Sequence, residues 1–247
     1  MSTRKRLTKT KRTQVVRETD YLIDTKFGMK RIEPITDTQT KLFDAYNNGK
    51  NILAVGSAGT GKTYISLYLA LKDVMAKKQY KEIIVVRSSV QSREQGHMPG
   101  GAQEKMSYFE APYVDIVNDL FERGDAYQIM KQKNMIRFMS TSFIRGLTFD
   151  NALIIVDECQ NMRWDELRTI MTRVGESSRI ILCGDTKQDD LATSKNRLDV
   201  SGLRHFKKVI DKMSTDCFET IEFTVDDIVR SGLVKEFIIA EEQLEAA

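Results

Sequence analysis

The sequence predicts an α/β protein built on a mainly parallel sheet with helices on both faces. Three observations predict it. Short runs at Asn51 to Val55, Ile83 to Val86, Ala152 to Val156 and Arg179 to Cys183 are apolar almost throughout. Continuous apolarity rich in β-branched residues marks strands covered on both sides. Stretches of helical period lie between these runs, and a glycine-rich loop separates the first run from the first helix, as in a strand, loop and helix unit that binds phosphate.

In chain order, Asn51 to Val55 reads as the first strand and Tyr64 to Lys77 as the helix after the loop. Ile83 to Val86 is a second strand. Pro112 is expected to split Gln103 to Phe121 into two helices or a helix and a turn, because its ring removes a backbone donor. Met135 to Met139 and Cys217 to Phe223 read as further strands. Between Trp164 and Val174, Leu167, Ile170, Met171 and Val174 repeat at i, i+3, i+4 and i+7, a core-facing stripe, and Gly175 stands where a C-cap glycine is expected. Gly202 to Met213 and Val234 to Leu244 read as the last helices. A chain of 247 residues with 41% hydrophobic content buries one good core. Residues 18–247 are therefore expected to form a single domain, with 1–17 as a flexible arm.

The arm carries seven basic side chains and no acidic one. Taking these seven from the 38 basic residues leaves 31 against 35 acidic ones, so the body is about four units negative. Such an arm suits phosphate neutralisation on nucleic acid, and equally a solvated terminus. No apolar run suggests a signal peptide or a membrane span, so a cytoplasmic protein without membrane association is expected. Cys159, Cys183 and Cys217 have no C-x-x-C spacing and the histidines number two, which fits a reducing compartment and leaves metal chemistry to carboxylates and Mg²⁺.

Gly56-Ser57-Ala58-Gly59-Thr60-Gly61-Lys62-Thr63 matches G-x-x-x-x-G-K-[ST] at every fixed position. Glycines let successive N–H groups turn inward around phosphates, and the next helix adds its positive N-terminus. Lys62 is expected to reach the β- and γ-phosphates and Thr63 to ligate Mg²⁺. The strand Ala152 to Val156 ends in Asp157-Glu158. Asp157 is expected to hold Mg²⁺, directly or through its water, and Glu158 to deprotonate the attacking water. A kinase gains nothing from activating water, so the pair favours a hydrolase. After the strand Arg179 to Cys183, Gln188 is expected near the γ-phosphate, where a neutral amide senses phosphate or positions water. Thr186 to Asp189 also resembles the guanine-reading [NT]-K-x-D pattern, but the accompanying D-x-x-G occurs only afterwards, at Asp199 to Gly202, which argues against GTP. Upstream, Gln39 is placed to read adenine through its amide, as in helicase-like ATPases.

GSAGTGKT, VDECQN and GDTKQ resemble motifs of superfamily-one helicases. The longer stretches VVRSSVQSREQGHMPGGAQEK, FIRGLTFDNALIIVDECQN, MTRVGESSRIILCGDTKQDD and IVRSGLV, within Pro34 to Ile239, resemble the PhoH family of phosphate-starvation-inducible ATPases. Cys159 stands where that family more usually has alanine, and Ser231 where histidine is frequent. The resemblance implies a RecA-like P-loop core, ATP and Mg²⁺, a homo-oligomeric and hexameric ring, and work on single-stranded RNA or DNA. A chain with one core has no second core to donate an arginine, and the resemblance makes Arg230 the candidate finger, supplied in trans by a neighbouring subunit. Arg87 and Arg145 are further candidate contacts to nucleic acid or phosphate. The nuclease domain fused to some relatives is not seen, so no nuclease activity is implied, and the short form looks like the bacteriophage-encoded members. An ATP-driven switch acting on protein partners is the alternative function, and a P-loop kinase a third.

Overall fold

Six strands, each paired in parallel with its neighbours, stand in the order β3-β2-β4-β5-β1-β6. In sequence they are β1 Asn51–Gly56, β2 Glu82–Arg87, β3 Ile136–Ser140, β4 Ala152–Asp157, β5 Arg179–Gly184 and β6 Phe218–Phe223. The helices are α1 Asp37–Asn47, α2 Lys62–Met75, α3 Ala102–Leu120, α4 Ala126–Gln132, α5 Trp164–Met171, α6 Leu203–Ile210 and α7 Gly232–Glu245. The computed structural model describes residues 28–76, 79–88, 102–185 and 201–245, and only the backbone of 102–105, 242 and 245. The expected arm, residues 1–17, and Gln188 lie outside the described residues.

The uniformly apolar strands divide their side chains between two cores. Ile83 and Val85 of β2, Leu153 and Ile155 of β4, and Ile52 and Ala54 of β1 face α1 to α4, packing with Leu42, Leu71, Val117 and Tyr127. Their alternate neighbours Ile84, Val86, Ile154, Val156, Leu53 and Val55 face α5 and α6, packing with Leu167, Ile170 and Phe206. Every residue of β4 is buried, as period-two side chains sandwiched between two helical layers must be. This parallel sheet, with a P-loop after β1, is the expected RecA-like α/β fold. Among the described residues no helix is long and apolar enough to cross a membrane.

Two local expectations need correction. Pro112 sits inside one continuous helix, α3. Pro112 is exposed and Tyr108, whose carbonyl loses the hydrogen bond, is 65% exposed, so the break falls on the solvent side of the helix while buried Tyr113, Val117 and Leu120 hold the opposite face. The helix α5 stops at Met171 with Thr172 as its C-cap, so Gly175 is no cap. Instead the Gly175 N–H donates to the Phe149 carbonyl at 2.8 Å, and a Cβ on Gly175 would lie 1.9 Å from Asp150 Oδ1 and 2.7 Å from the Phe149 carbonyl oxygen. Gly175→Ala is expected to destabilise the fold by about 1–3 kcal/mol through this overpacking. A urea midpoint equal to wild type would show that Asp150 simply moves aside. Helices α1 and α4 have no counterpart among the elements expected from the sequence.

The first of these positions the site. Thr36 caps α1 by accepting from the Gln39 N–H at 3.2 Å, a readable N-cap signal. At the other end, Arg179 donates to the Tyr46 and Lys50 carbonyls at 2.8 and 2.7 Å, with its guanidinium 4.2 Å from the Tyr46 ring centroid. A cation bonded to carbonyls at and just beyond the C-terminal end of α1 holds that end of the helix against β5.

Candidate functional site

Parallel registration brings the exits of β1, β4 and β5 to one edge, since Val55 pairs with Gly184 and Val156 with Leu182. Ligand sites in open α/β sheets form at this carboxyl edge. The loop from Gly56 to Gly61 leaves β1 there and enters α2 with Gly61 as N-cap. Its part from Ala58 to Gly61 lines a cavity of about 630 Å³ together with Lys62, Thr63, Asp157, Glu158 and Asp185.

Lys62, only 8% exposed, donates to the Gly56 carbonyl at 2.8 Å, the Ser57 carbonyl at 2.7 Å and Thr60 Oγ1 at 3.1 Å. Thr60 in turn donates to the Ser57 carbonyl at 3.0 Å. Burial pulls the lysine below its ordinary range, opposed by the nearby Cys183, Asp185, Asp157 and Glu158. A polyanion beside it would reverse that shift.

Thr63 Oγ1 donates to Asp157 Oδ1 at 2.7 Å, so residues 94 positions apart meet as a hydroxyl and carboxylate pair. Such a pair suits Mg²⁺, which takes few protein ligands and completes its shell with water and phosphate oxygens. Among the described residues no cluster of three histidine, cysteine or acidic side chains offers a different metal centre.

Glu158 adopts φ 52° and ψ 42°, the left-handed region that a side chain enters at some cost and that recurs at functional sites. Burial, then the charge of Asp157, pushes its carboxyl above the usual range, while a hydrogen bond from Gln160 works the other way. That bond, Gln160 Nε2 to Glu158 Oε2, measures 2.6 Å, and the same amide's Oε1 accepts from the Asp185 N–H at 2.9 Å. Gln160 is 1% exposed and so ties the exit of β4 to the exit of β5. It stands in the quoted VDECQN run, which gave no sign of this role.

Gln39 lines the cavity, but its amide already serves the backbone. Oε1 accepts from the Ile35 N–H at 2.9 Å and Nε2 donates to the Thr60 carbonyl at 3.1 Å. It therefore braces the loop from α1, with one lone pair and one hydrogen remaining for a base. Arg230 lies over its own chain's loop. A Cβ on Gly59, whose φ is +74°, would come 2.8 Å from Arg230 Cγ, and the Val229 N–H donates to the Gly59 carbonyl at 3.1 Å. Arg87 stacks 5.6 Å from the Phe109 ring centroid, and Arg145 is exposed beyond β3. Cys159 and Cys183 pack as buried thiols, Cys183 pushed up to about 12 by burial.

The model of one protein family, described as PhoH-like protein, matches residues 31–242. The chain belongs to the PhoH family. A PhoH-like protein of Mycobacterium leprae is 30% identical over 212 residues, covering 85% of this chain and 58% of the relative. A PhoH-like protein of Bacillus subtilis is also 30% identical over 212 residues, covering 85% and 64%. This PhoH-family chain thus spans less than two thirds of the length of these curated relatives. Among solved structures, the large terminase of a thermophilic bacteriophage resembles it at a TM-score of 0.48 and 12% identity, over 83% of this chain and 50% of the terminase.

Proposed function

We propose that this chain is a Mg²⁺-dependent ATP hydrolase of the PhoH type that works as a homo-oligomer, a hexameric ring, on single-stranded RNA or DNA. The convergence of Lys62, Thr63, Asp157 and Glu158 on one cavity carries the reading. Thr63 and Asp157 would hold the metal, which when bound supplies positive charge to the β- and γ-phosphate oxygens. Lys62 Nζ turns from its loop acceptors to those phosphates. Backbone N–H groups of the loop and the start of α2 orient the phosphate chain. Glu158, raised in basicity by burial, takes a proton from the attacking water at a carboxylate oxygen, and Gln160 holds that carboxylate in place. Gln188, by its order after β5, is assigned to the γ-phosphate.

Arg230 has two readings, each supported by an observation. Its contact with Gly59 favours action on the nucleotide of its own loop. Its position two residues before α7 favours the trans finger, because α7 exposes Leu233, Phe237 and Leu244 at 80%, 66% and 80%, an apolar face that a neighbouring subunit would cover. We adopt the first, which the backbone bond from Val229 to the Gly59 carbonyl supports. The basic arm, Arg87 and Arg145 support nucleic acid as the partner.

The test is ATP hydrolysis by the full chain with Mg²⁺ or EDTA, alone and with single-stranded RNA or DNA. Expected is hydrolysis abolished by EDTA and stimulated several-fold by a single strand. Hydrolysis indifferent to both strands supports the switch acting on protein partners, and no hydrolysis under any condition overturns the enzyme reading.

A further inference from the structure

We propose that Tyr113 is a positioning residue for the metal carboxylate, an inference that rests on Asp157 holding Mg²⁺. Tyr113 OH donates to Asp157 Oδ2 at 2.8 Å, while Thr63 Oγ1 donates to Oδ1 at 2.7 Å. Each carboxylate oxygen therefore has its own donor, and the plane of the group is set from both ends. The phenol itself has no freedom. It is fully buried and its ring stacks on Phe138 of β3 at 5.6 Å between centroids. A carboxylate oxygen only accepts, so the Tyr113 hydroxyl is the donor of the pair.

The chemistry follows from what each donor leaves available. A threonine hydroxyl that gives its hydrogen to Asp157 keeps lone pairs for a cation. A carboxylate whose second oxygen is tied into the interior cannot swing round to chelate that cation with both oxygens. Mg²⁺ demands near-octahedral geometry and is held by few carboxylates, so a locked, single-sided carboxylate suits it. Outer partners of this kind orient metal ligands, and losing them typically costs about 10–100-fold in affinity or activity. Because Tyr113 belongs to α3, it also makes the metal site sensitive to where that helix sits against the sheet.

The direct readout is Mn²⁺ affinity of the ADP complex by electron paramagnetic resonance, which needs no turnover. Tyr113→Phe, which keeps the ring and its stacking, is expected to weaken Mn²⁺ about tenfold while ADP affinity in EDTA stays within about twofold. In an Asp157→Asn background the same change should cost nothing more, since Tyr113 acts through that carboxylate and a mere packing defect would still add. Mn²⁺ affinity within about twofold of wild type in Tyr113→Phe, or an equal further loss in the Asp157→Asn background, overturns the proposal. Unchanged Mn²⁺ affinity in Asp157→Asn alone overturns the metal assignment and this inference with it. Should Tyr113→Phe not fold, 3-fluorotyrosine placed at position 113 preserves the hydroxyl. Its fluorine resonance should move when Mg²⁺ is added to the ADP complex, and a stationary resonance overturns the proposal.

Discussion

Glu158→Gln is expected to bind ATP as wild type does and to hydrolyse it about 10²–10⁴-fold more slowly, the usual contribution of a general base. The amide keeps the size of the carboxylate and can still accept from Gln160 through its carbonyl oxygen. What it loses is the capacity to take a proton from water. The environment sharpens the expectation, because burial and the neighbouring Asp157 raise the basicity of Glu158 without removing its charge partners. Nucleotide affinity by fluorescence anisotropy and single-turnover hydrolysis separate binding from chemistry. A turnover within about threefold of wild type would exclude a general-base role for Glu158.

Arg230→Ala is expected to retain nucleotide binding and to lose hydrolysis toward the ~10³-fold scale on which catalytic arginines act, whether supplied in cis or in trans. Mixing decides between the two geometries. Lys62→Ala removes the cation proposed to face the phosphates, so each variant alone is expected to be inactive for a different reason. With Arg230 working on its own loop, as its contact with Gly59 indicates, every site in a mixed oligomer still lacks one of the two groups. No activity should return. Recovery in verified mixed oligomers would instead establish that Arg230 reaches a neighbour's site, because some interfaces would then combine an intact loop with an intact arginine.

What could be read from the sequence was what local chain chemistry encodes. The loop from Gly56 to Thr63 and the acids after β4 are specified by adjacent residues, and the strands by their own unbroken apolarity. Gln39, too, stands out in the sequence, but its bonds to Ile35 and Thr60 depend on how α1 is clamped by Arg179, which no local pattern reveals. Tyr113 was silent for the same reason. It meets Asp157 across 44 residues, and one tyrosine on a buried helix face looks like any other. Gly175 and Pro112 depart from expectation for a shared reason: tertiary setting overrides the backbone preference of each. Gly175 is needed for a tertiary approach to Phe149 and Asp150, and Pro112 is tolerated because it lies on the exposed side of its helix.

The coordination of Lys62 bears on which nucleotides the protein will hold. Its ammonium already has three oxygen partners within the loop, so the arrival of phosphate is a ligand exchange, in which one satisfied shell is traded for another. Affinity then measures a difference between two good shells, and only a ligand bringing several phosphate oxygens to the same nitrogen gains from the trade. A nucleoside monophosphate, whose single phosphate would leave that nitrogen with its carbonyls, is expected to gain little, so Lys62 is expected to discriminate by phosphate-chain length.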